Sequence, residues 1–159
     1  DIIALQTTDS VSETFTYTII DSSNQSDTAV ITVNVAGQND TPVANTDTAS
    51  VTEGSSATVT DTLNGVTSND TDADTGDTLI VRNISHTNRN NDSVSANTTY
   101  LTGTTIVGTY GTLTIGSDGT YKYIPNDKLG ANETGTDVFT YTVTDGTDTD
   151  QRRHEAEHS

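Results

Sequence analysis

The sequence contains no cysteine, few basic side chains and no long apolar segment. Because cysteine is absent, the fold contains neither disulfides nor thiolate metal sites, and cysteine usage leaves the compartment open. Six Lys and Arg residues stand against 23 Asp and Glu residues, which argues against nucleic acid and anionic membranes, since both require basic patches. No run of about 18 apolar residues is present, so no membrane span is predicted.

Apolar residues are also scarce for a folded domain. Hydrophobic residues make up 30% of the chain and the net charge is −17, a composition that approaches the disordered class. The apolar residues nevertheless alternate with threonine, which is β-branched and favours strands. We therefore predict an all-β protein with a thin core.

One sequence pattern occurs twice in the chain. Phe15–Asp21 (FTYTIID) matches Phe139–Asp145 (FTYTVTD), and the separation is nearly a whole domain. Solenoids and propellers repeat at about 20–50 residues, so this longer period indicates domains in series. The predicted organisation is the C-terminal strands of a preceding repeat (1–36), an inter-repeat joint (37–44), a second repeat (45–150) and a charged tail (151–159).

The joint at 37–44 is short, stiff and rich in oxygen atoms. Pro42 fixes its own φ and extends the residue before it. Asn39 and Asp40 present two oxygen-bearing side chains just before this proline. These features favour binding of a hard cation at the joint.

Alternation of apolar and polar residues predicts the strands. Asp118-Gly119 between two alternating runs predicts a β-hairpin. The Asn-, Ser- and Thr-rich residues 83–99 predict a long loop. The predicted strands are 11–21, 28–35, 48–59 with an interruption at 53–56, 78–81, two around the Asp-Gly turn, and 139–144.

Residues 68–77 form an acidic stretch with two interpretations. Its five carboxylate and amide side chains cannot all lie close together without a counterion. One interpretation is a solvated surface turn rich in Asp and Asn. The other is calcium, which accepts six to eight oxygens in loose geometry. The five residues are Asn69, Asp70, Asp72, Asp74 and Asp77.

The joint, the acidic stretch and the hairpin together resemble the bacterial cadherin-like tandem repeats of large surface adhesins, of the VCBS type. The resemblance implies an immunoglobulin- or cadherin-like β-sandwich of about seven antiparallel strands. It also implies a secreted or surface-anchored bacterial protein with Ca²⁺ near the junctions between repeats. The matching segments are 37–44, 69–72, 108–115, 118–123 and 137–146, in the order of the family.

The resemblance also implies a ligand set and a function. The implied function is a calcium-stiffened structural (extender) repeat in cell adhesion or biofilm formation, with neighbouring repeats as partners. The alternative is a ligand-binding module that recognises a glycan or a partner-cell surface through residues 83–107 and exposed tyrosines. The implied calcium ligands are Asn39, Asp40, Glu53, Asp70, Asp72 and Asp145.

Two further patterns each have a functional and an ordinary interpretation. His154–His158 matches the H-E-x-x-H pattern of zinc peptidases, but so short a terminal helix is marginal in water, which favours a simple tail. Four tyrosines either stack on sugars or form core and cross-strand pairs; they are Tyr110, Tyr121, Tyr123 and Tyr141. No Ser/His/Asp or Cys/His set is present, so the sequence predicts no enzyme.

The charged tail predicts an incomplete sandwich. Residues 151–159 stand where the resemblance places a final strand of alternating Thr and Val, so an open sheet edge is predicted. Thr28–Val35 has the pattern to close such an edge in another copy of the chain. Strand complementation between copies is therefore a second predicted partnership.

Overall fold

The computed structural model describes residue 5 and residues 7–87, 91–130 and 132–158, without the side chains of residues 153 and 158. The chain divides into two units, Asp1–Asp40 and Thr41–Ser159. The described residues form eleven strands: β1 Ser10–Ile20, β2 Ser26–Ala36, β3 Asp47–Val51, β4 Ala57–Val59, β5 Ile80–His86, β6 Asp92–Ser93, β7 Thr104–Val107, β8 Gly111–Ile115, β9 Tyr121–Pro125, β10 Gly135–Thr144 and β11 Thr149–His158.

The first unit is an antiparallel hairpin of β1 and β2, with Phe15 opposite Ile31. Asp21 closes the turn, because its Oδ1 accepts hydrogen bonds from the backbone N–H groups of Ser23 and Gln25, both at 2.8 Å. Asn24 takes the left-handed conformation with φ 62°, which asparagine tolerates better than most residues. The two strands occupy the segments where alternation predicts them.

The second unit is a sandwich of two sheets. The five-stranded sheet has the order β3-β11-β10-β5-β6, and the four-stranded sheet has the order β4-β9-β8-β7. The pairs are antiparallel except β3 with β11, which is parallel. The all-β sandwich is therefore confirmed, with more strands than the seven expected.

One of the extra strands arises because the predicted strand 48–59 belongs to both sheets. β3 pairs with β11 in one sheet, whereas β4 pairs with β9 in the other. The chain crosses between the sheets in a turn in which Gly54 has a φ of +76°, a conformation that glycine adopts without steric cost.

The core lies between the two sheets, where alternate residues of the strands meet. The sugar-stacking interpretation of the tyrosines is wrong for three of the four, because Tyr121, Tyr123 and Tyr141 are buried in this core. Their odd-numbered positions place them on the inward face of their strands, beside Leu113 and Phe139. Tyr110 is half-buried.

The prediction of a loop over 83–99 is wrong at its start, because β5 extends to His86, and at Asp92–Ser93, which forms β6. The ladder with β10 shifts between Thr142 and Val143, so that Val143 lies opposite Val81 and Thr142 opposite Asn83. This bulge turns both Val81 and Ile84 into the core. It hides the period-two pattern on which the sequence prediction relied. Residues 88–90 lie outside the described residues.

The charged tail is a strand, so the predicted open edge is wrong. β11 lies between β10 and β3, and His154 and Ala156 point into the core. Two neighbouring strands satisfy its backbone, and this outweighs the low β-propensity of its side chains. The strand also places Glu155 on the face opposite His154, unlike the helix of a zinc peptidase. Among the described residues no helix is long and apolar enough to span a membrane.

Candidate metal centre

The acidic stretch lies in the connection between β4 and β5 and is held against the start of the second unit. Val43 and Thr71 exchange backbone hydrogen bonds, from Val43 N–H to Thr71 O (2.7 Å) and from Thr71 N–H to Val43 O (3.0 Å). Beyond this bridge, Asp72 Oδ1 accepts the N–H of Asp74 at 2.9 Å. Gly76 has a φ of +111°, which turns the chain back and returns Asp77 toward the other two carboxylates.

Asp72, Asp74 and Asp77 form what we call the carboxylate cluster. One oxygen of each side chain lies within 4.8 Å of the others. Asp74 is buried, Asp72 is half-buried and Asp77 is exposed. The pKa of Asp77 is raised by partial desolvation and then by the charges of Asp74, Asp72 and Asp145. The cluster therefore concentrates negative charge in a small volume.

The second oxygen of Asp72 indicates that this cluster fits a cation. Asp72 Oδ2 is shielded from solvent and accepts no hydrogen bond from the described residues. A buried carboxylate oxygen without a donor is costly. A hard cation removes this cost and the mutual repulsion, and an all-oxygen donor set is the one that calcium prefers. The same side chains line a pocket of about 450 Å³, which leaves room for water ligands.

Of the six ligands that the resemblance implies, the structure brings Asp72 into the carboxylate cluster. Asp145 contributes charge nearby, but its Oδ1 accepts the N–H groups of Thr147 (2.5 Å) and Asp148 (2.7 Å). Glu53 lies in the exposed turn between β3 and β4. The ligand set that the resemblance implies leaves out Asp74 and Asp77, which the calcium interpretation of the acidic stretch includes.

Asn39 and Asp40 belong to the first unit. The Asn39 side-chain amide donates to the carbonyl of Asp40 at 2.9 Å. Their role as calcium ligands stays a prediction, as does the role of Glu53.

Asp70 belongs to a second acidic centre, built around the Tyr141 hydroxyl. The hydroxyl oxygen lies 2.9–3.2 Å from two backbone carbonyls and from the carboxylates of Asp47 and Asp70. Asp70 Oδ1 also accepts the N–H of Asn45 at 2.6 Å. Because a hydroxyl has one proton, Tyr141 cannot satisfy all these acceptors at once.

Burial raises the proton affinity of the carboxylates at this second centre. Desolvation, followed by the charge of Asp70, raises the pKa of Asp47 to about 7, against a lowering contribution from the Tyr141 hydrogen bond. Desolvation is also the largest cause that raises the pKa of Asp70. A protonated Asp47 donates where a carboxylate only accepts. Hydrogen bonding at the Tyr141 hydroxyl thus ties residues 45–47 to β10.

The sequence profile of the bacterial cadherin-like domain family matches residues 39–156. The chain belongs to this family. The match includes the carboxylate cluster of the cadherin-like domain and most of β11, the strand that the sequence analysis interpreted as a tail. No curated protein matches the sequence significantly.

Solved structures of two fucoidan-degrading enzymes resemble this cadherin-like domain weakly. Endo-fucoidan hydrolase MfFcnA4, of glycoside hydrolase family 107, is 18% identical with a TM-score of 0.38, over 93% of this chain and 19% of the hydrolase. For endo-fucoidan hydrolase MfFcnA9 the values are 16% identity, a TM-score of 0.33, and 92% and 22% coverage. The chain spans about a fifth of these proteins.

This comparison contradicts the prediction that the protein is not an enzyme. The solved structures named above are hydrolases, so the prediction is withdrawn. At this identity, coverage and TM-score, the likeness assigns no activity to the cadherin-like domain itself.

Proposed function

We propose that the second unit is a calcium-binding structural repeat of a bacterial surface adhesin, which calcium stiffens for a role in cell adhesion or biofilm formation. The observation that carries the proposal is the buried, unsatisfied Asp72 Oδ2 within the carboxylate cluster. Membership of the bacterial cadherin-like domain family supports an extracellular setting.

Asp72, Asp74 and Asp77 would hold the ion. Calcium fits this cluster better than magnesium does, because the three carboxylates come from one irregular loop beside an open pocket. Magnesium requires a near-ideal octahedron, whereas calcium tolerates variable ligand number and geometry. A divalent ion would also offset part of the repulsion among the acidic residues of a chain with net charge −17.

Calcium would stiffen the domain by fixing the acidic loop against neighbouring segments. The loop already contacts Val43 through Thr71, and Val66 N–H donates to Gly119 O of the β8–β9 turn at 3.0 Å. An ion bound to Asp72 and Asp77 would lock the loop between these two anchors. Val43 lies within the predicted joint (37–44), so the start of the repeat would become more rigid.

Titration calorimetry tests this proposal directly. We expect wild-type protein to bind calcium, and Asp72→Asn to weaken the affinity at least about tenfold. Asp127→Asn is the matched control, because Asp127 is an exposed aspartate in the loop after β9. Its affinity should equal that of wild type. Absence of calcium binding, or equal affinities for wild type and Asp72→Asn, would exclude the carboxylate cluster as the site.

A further inference from the structure

Residues 43–46, which we call the entry segment, lead into β3 and lie outside the regular strands. Within this segment Ala44 is fully buried, so its backbone N–H and C=O require partners inside the protein. Both partners are side chains of β11. Asp150 Oδ2 accepts the Ala44 N–H at 3.1 Å, and Arg152 Nε donates to the Ala44 carbonyl at 2.6 Å.

These two side chains continue the ladder between β3 and β11. The strands are parallel, with Asp47 opposite His154, and counting back in the same register places Ala44 opposite Gln151. A residue in a parallel ladder donates to the residue before its opposite partner and accepts from the residue after it. The carboxylate and the guanidinium that bind Ala44 belong to the residues just before and just after Gln151. Side chains therefore take the roles of ladder backbone groups.

Residues 69–71 of the acidic stretch also hold the entry segment. The Asn45 N–H donates to Asp70 Oδ1 at 2.6 Å, and the Asn45 side-chain amide donates to the Asn69 carbonyl at 2.8 Å. The Asn69 side-chain amide in turn donates to the Thr46 carbonyl at 3.3 Å. Together with the backbone bridge at residue 71, these contacts fasten the entry segment to two parts of the chain that are distant in sequence.

Arg152 supplies positive charge where acidic side chains gather around the entry segment. Its Nη2 lies 3.7 Å from Asp150 Oδ2. Desolvation is the largest cause that raises the pKa of Asp70; the charge of Asp150 adds to this rise, and the charge of Arg152 opposes it. Without Arg152, the repulsion between the two carboxylates would not be offset, and the Ala44 carbonyl would lose its donor.

The parallel pairing determines how tension would act on these contacts. In an array of repeats, tension enters the second unit ahead of Val43 and leaves it after β11. Parallel strands begin at the same end of their ladder, so these two points lie at opposite ends of the β3–β11 ladder. The load therefore shears the strands along each other. It acts on the ladder hydrogen bonds and on the entry-segment contacts together, and not on one bond at a time.

We propose that the entry segment is a tension clamp, in which Asp150 and Arg152 bear the load that reaches the domain along the chain. This inference rests on the proposed function, since only a repeat held in series with others is pulled from both ends. The contacts with β11 do not involve the carboxylate cluster. The contacts with residues 69–71 directly precede Asp72 in the chain, so calcium bound there would strengthen this second part of the clamp.

Single-molecule force spectroscopy on the full chain tests the clamp. The natural chain has no cysteine, so two introduced cysteines define the pulling axis. Thr41→Cys combined with Glu157→Cys loads the entry segment. Thr58→Cys combined with Glu157→Cys bypasses it, because Thr58 lies in β4, beyond the entry segment and β3. All three side chains are exposed, so the cysteines replace no core residue.

Arg152→Met should weaken the chain along the first axis. At constant force between residues 41 and 157 it should unfold about tenfold faster than the chain with the two cysteines alone, because it loses a hydrogen bond from a charged group. Between residues 58 and 157 the two unfolding rates should be nearly equal. Arg82→Met is the matched control, because Arg82 is an exposed arginine of β5, and it should leave the rates on both axes unchanged.

Asp150→Asn is a second variant, which keeps the shape of the side chain and should act in the same direction with a smaller effect. Equal acceleration along both axes would identify an ordinary stabilising contact, and no acceleration along the first axis would show that the contacts bear no load. Either result overturns the proposal. Measurement in EDTA and in calcium separates it from the proposed function. An axis-dependent effect in EDTA supports the clamp whether or not calcium binds, whereas calcium binding without axis dependence supports the metal site alone.

Discussion

Three buried or half-buried ionisable residues of the second unit differ in how their polar atoms are satisfied. Asp137 has donors on both oxygens, including His86 Nε2 at 3.2 Å from Oδ1. Asp47 shares the Tyr141 hydroxyl with Asp70, and burial raises its pKa to about 7. His154 has no hydrogen-bonding partner among the described residues, and desolvation lowers its pKa to about 4. Asp47 and His154 therefore make stability depend on pH.

The two residues act in opposite directions. Between pH 3.8 and about 7 the folded state holds a proton on Asp47 that the unfolded state has lost, so this residue makes stability fall as pH rises. Between about pH 4 and 6.5 the unfolded state holds a proton on His154 that the folded state lacks, so this residue makes stability fall as pH decreases. In wild type the two effects partly cancel.

Single substitutions should separate these effects. Relative to wild type, Asp47→Asn should gain roughly 2–3 kcal/mol of unfolding free energy between pH 4.5 and 7.5. Relative to wild type, the unfolding free energy of His154→Leu should fall by a similar amount from pH 4.5 to 7.5. This variant should therefore show its largest gain over wild type at pH 4.5. Urea unfolding in EDTA at both pH values measures the differences. Differences that do not change with pH would show that neither group titrates abnormally.

The sequence predicted single residues only where a local pattern carried the information. Asp72 was found because the acidic residues alternate within one loop. Asp137 was missed as a buried group, because its donors come from residues 109, 110 and 123, which only the fold brings together. The orphaned His154 was missed for the same reason, since its burial depends on both neighbouring strands.

At the scale of elements, the β8–β9 hairpin supports the acidic loop. Gly119 has a φ of +82°, and a Cβ at this position would lie 2.6 Å from Thr67 Oγ1. Its carbonyl accepts the N–H of Val66, the residue before Thr67. The turn that the Asp118-Gly119 sequence predicts therefore also fixes the start of the loop that carries the carboxylate cluster.

Gly119→Ala should consequently affect both stability and calcium binding. Backbone strain alone costs about 1–2 kcal/mol at a positive φ, and the contact with Thr67 adds to that cost. Gly54→Ala is the matched control, because Gly54 has a φ of +76° but no atom within 4 Å of an added Cβ. Chemical unfolding should show a larger loss for Gly119→Ala, and calorimetry should show weaker calcium binding for that variant alone. Equal effects of the two substitutions would contradict this coupling.

The sequence predicts a β-strand correctly where apolar and polar residues alternate without interruption. β1, β2, β8 and β9 show it, and the Asp-Gly turn marks the hairpin between the last two. β5 contains a bulge, and β11 carries charged side chains on its outward face, so neither shows a clear pattern. Both strands form because neighbouring strands supply ladder hydrogen bonds. Those neighbours are distant in sequence, so the local residue pattern does not predict the pairing.

At the scale of the whole molecule, the excess of negative charge opposes folding. The chain carries a net charge of −17 and gathers three carboxylates within 4.8 Å; a buried oxygen of Asp72 in this cluster has no donor among the described residues. Such self-repulsion weakens a compact state with a thin core. We propose that calcium relieves this repulsion, so the folded domain should be measurably less stable when calcium is removed.

Thermal unfolding of the full chain with and without calcium tests this central claim most directly. Calcium at about 100 times its dissociation constant stabilises a folded state that alone binds it by ~2.7 kcal/mol. This should raise the melting temperature by several degrees. Asp72→Asn should lose most of the rise, whereas Asp127→Asn should keep it. Superimposable melting curves of wild-type protein in EDTA and in saturating calcium would contradict the account.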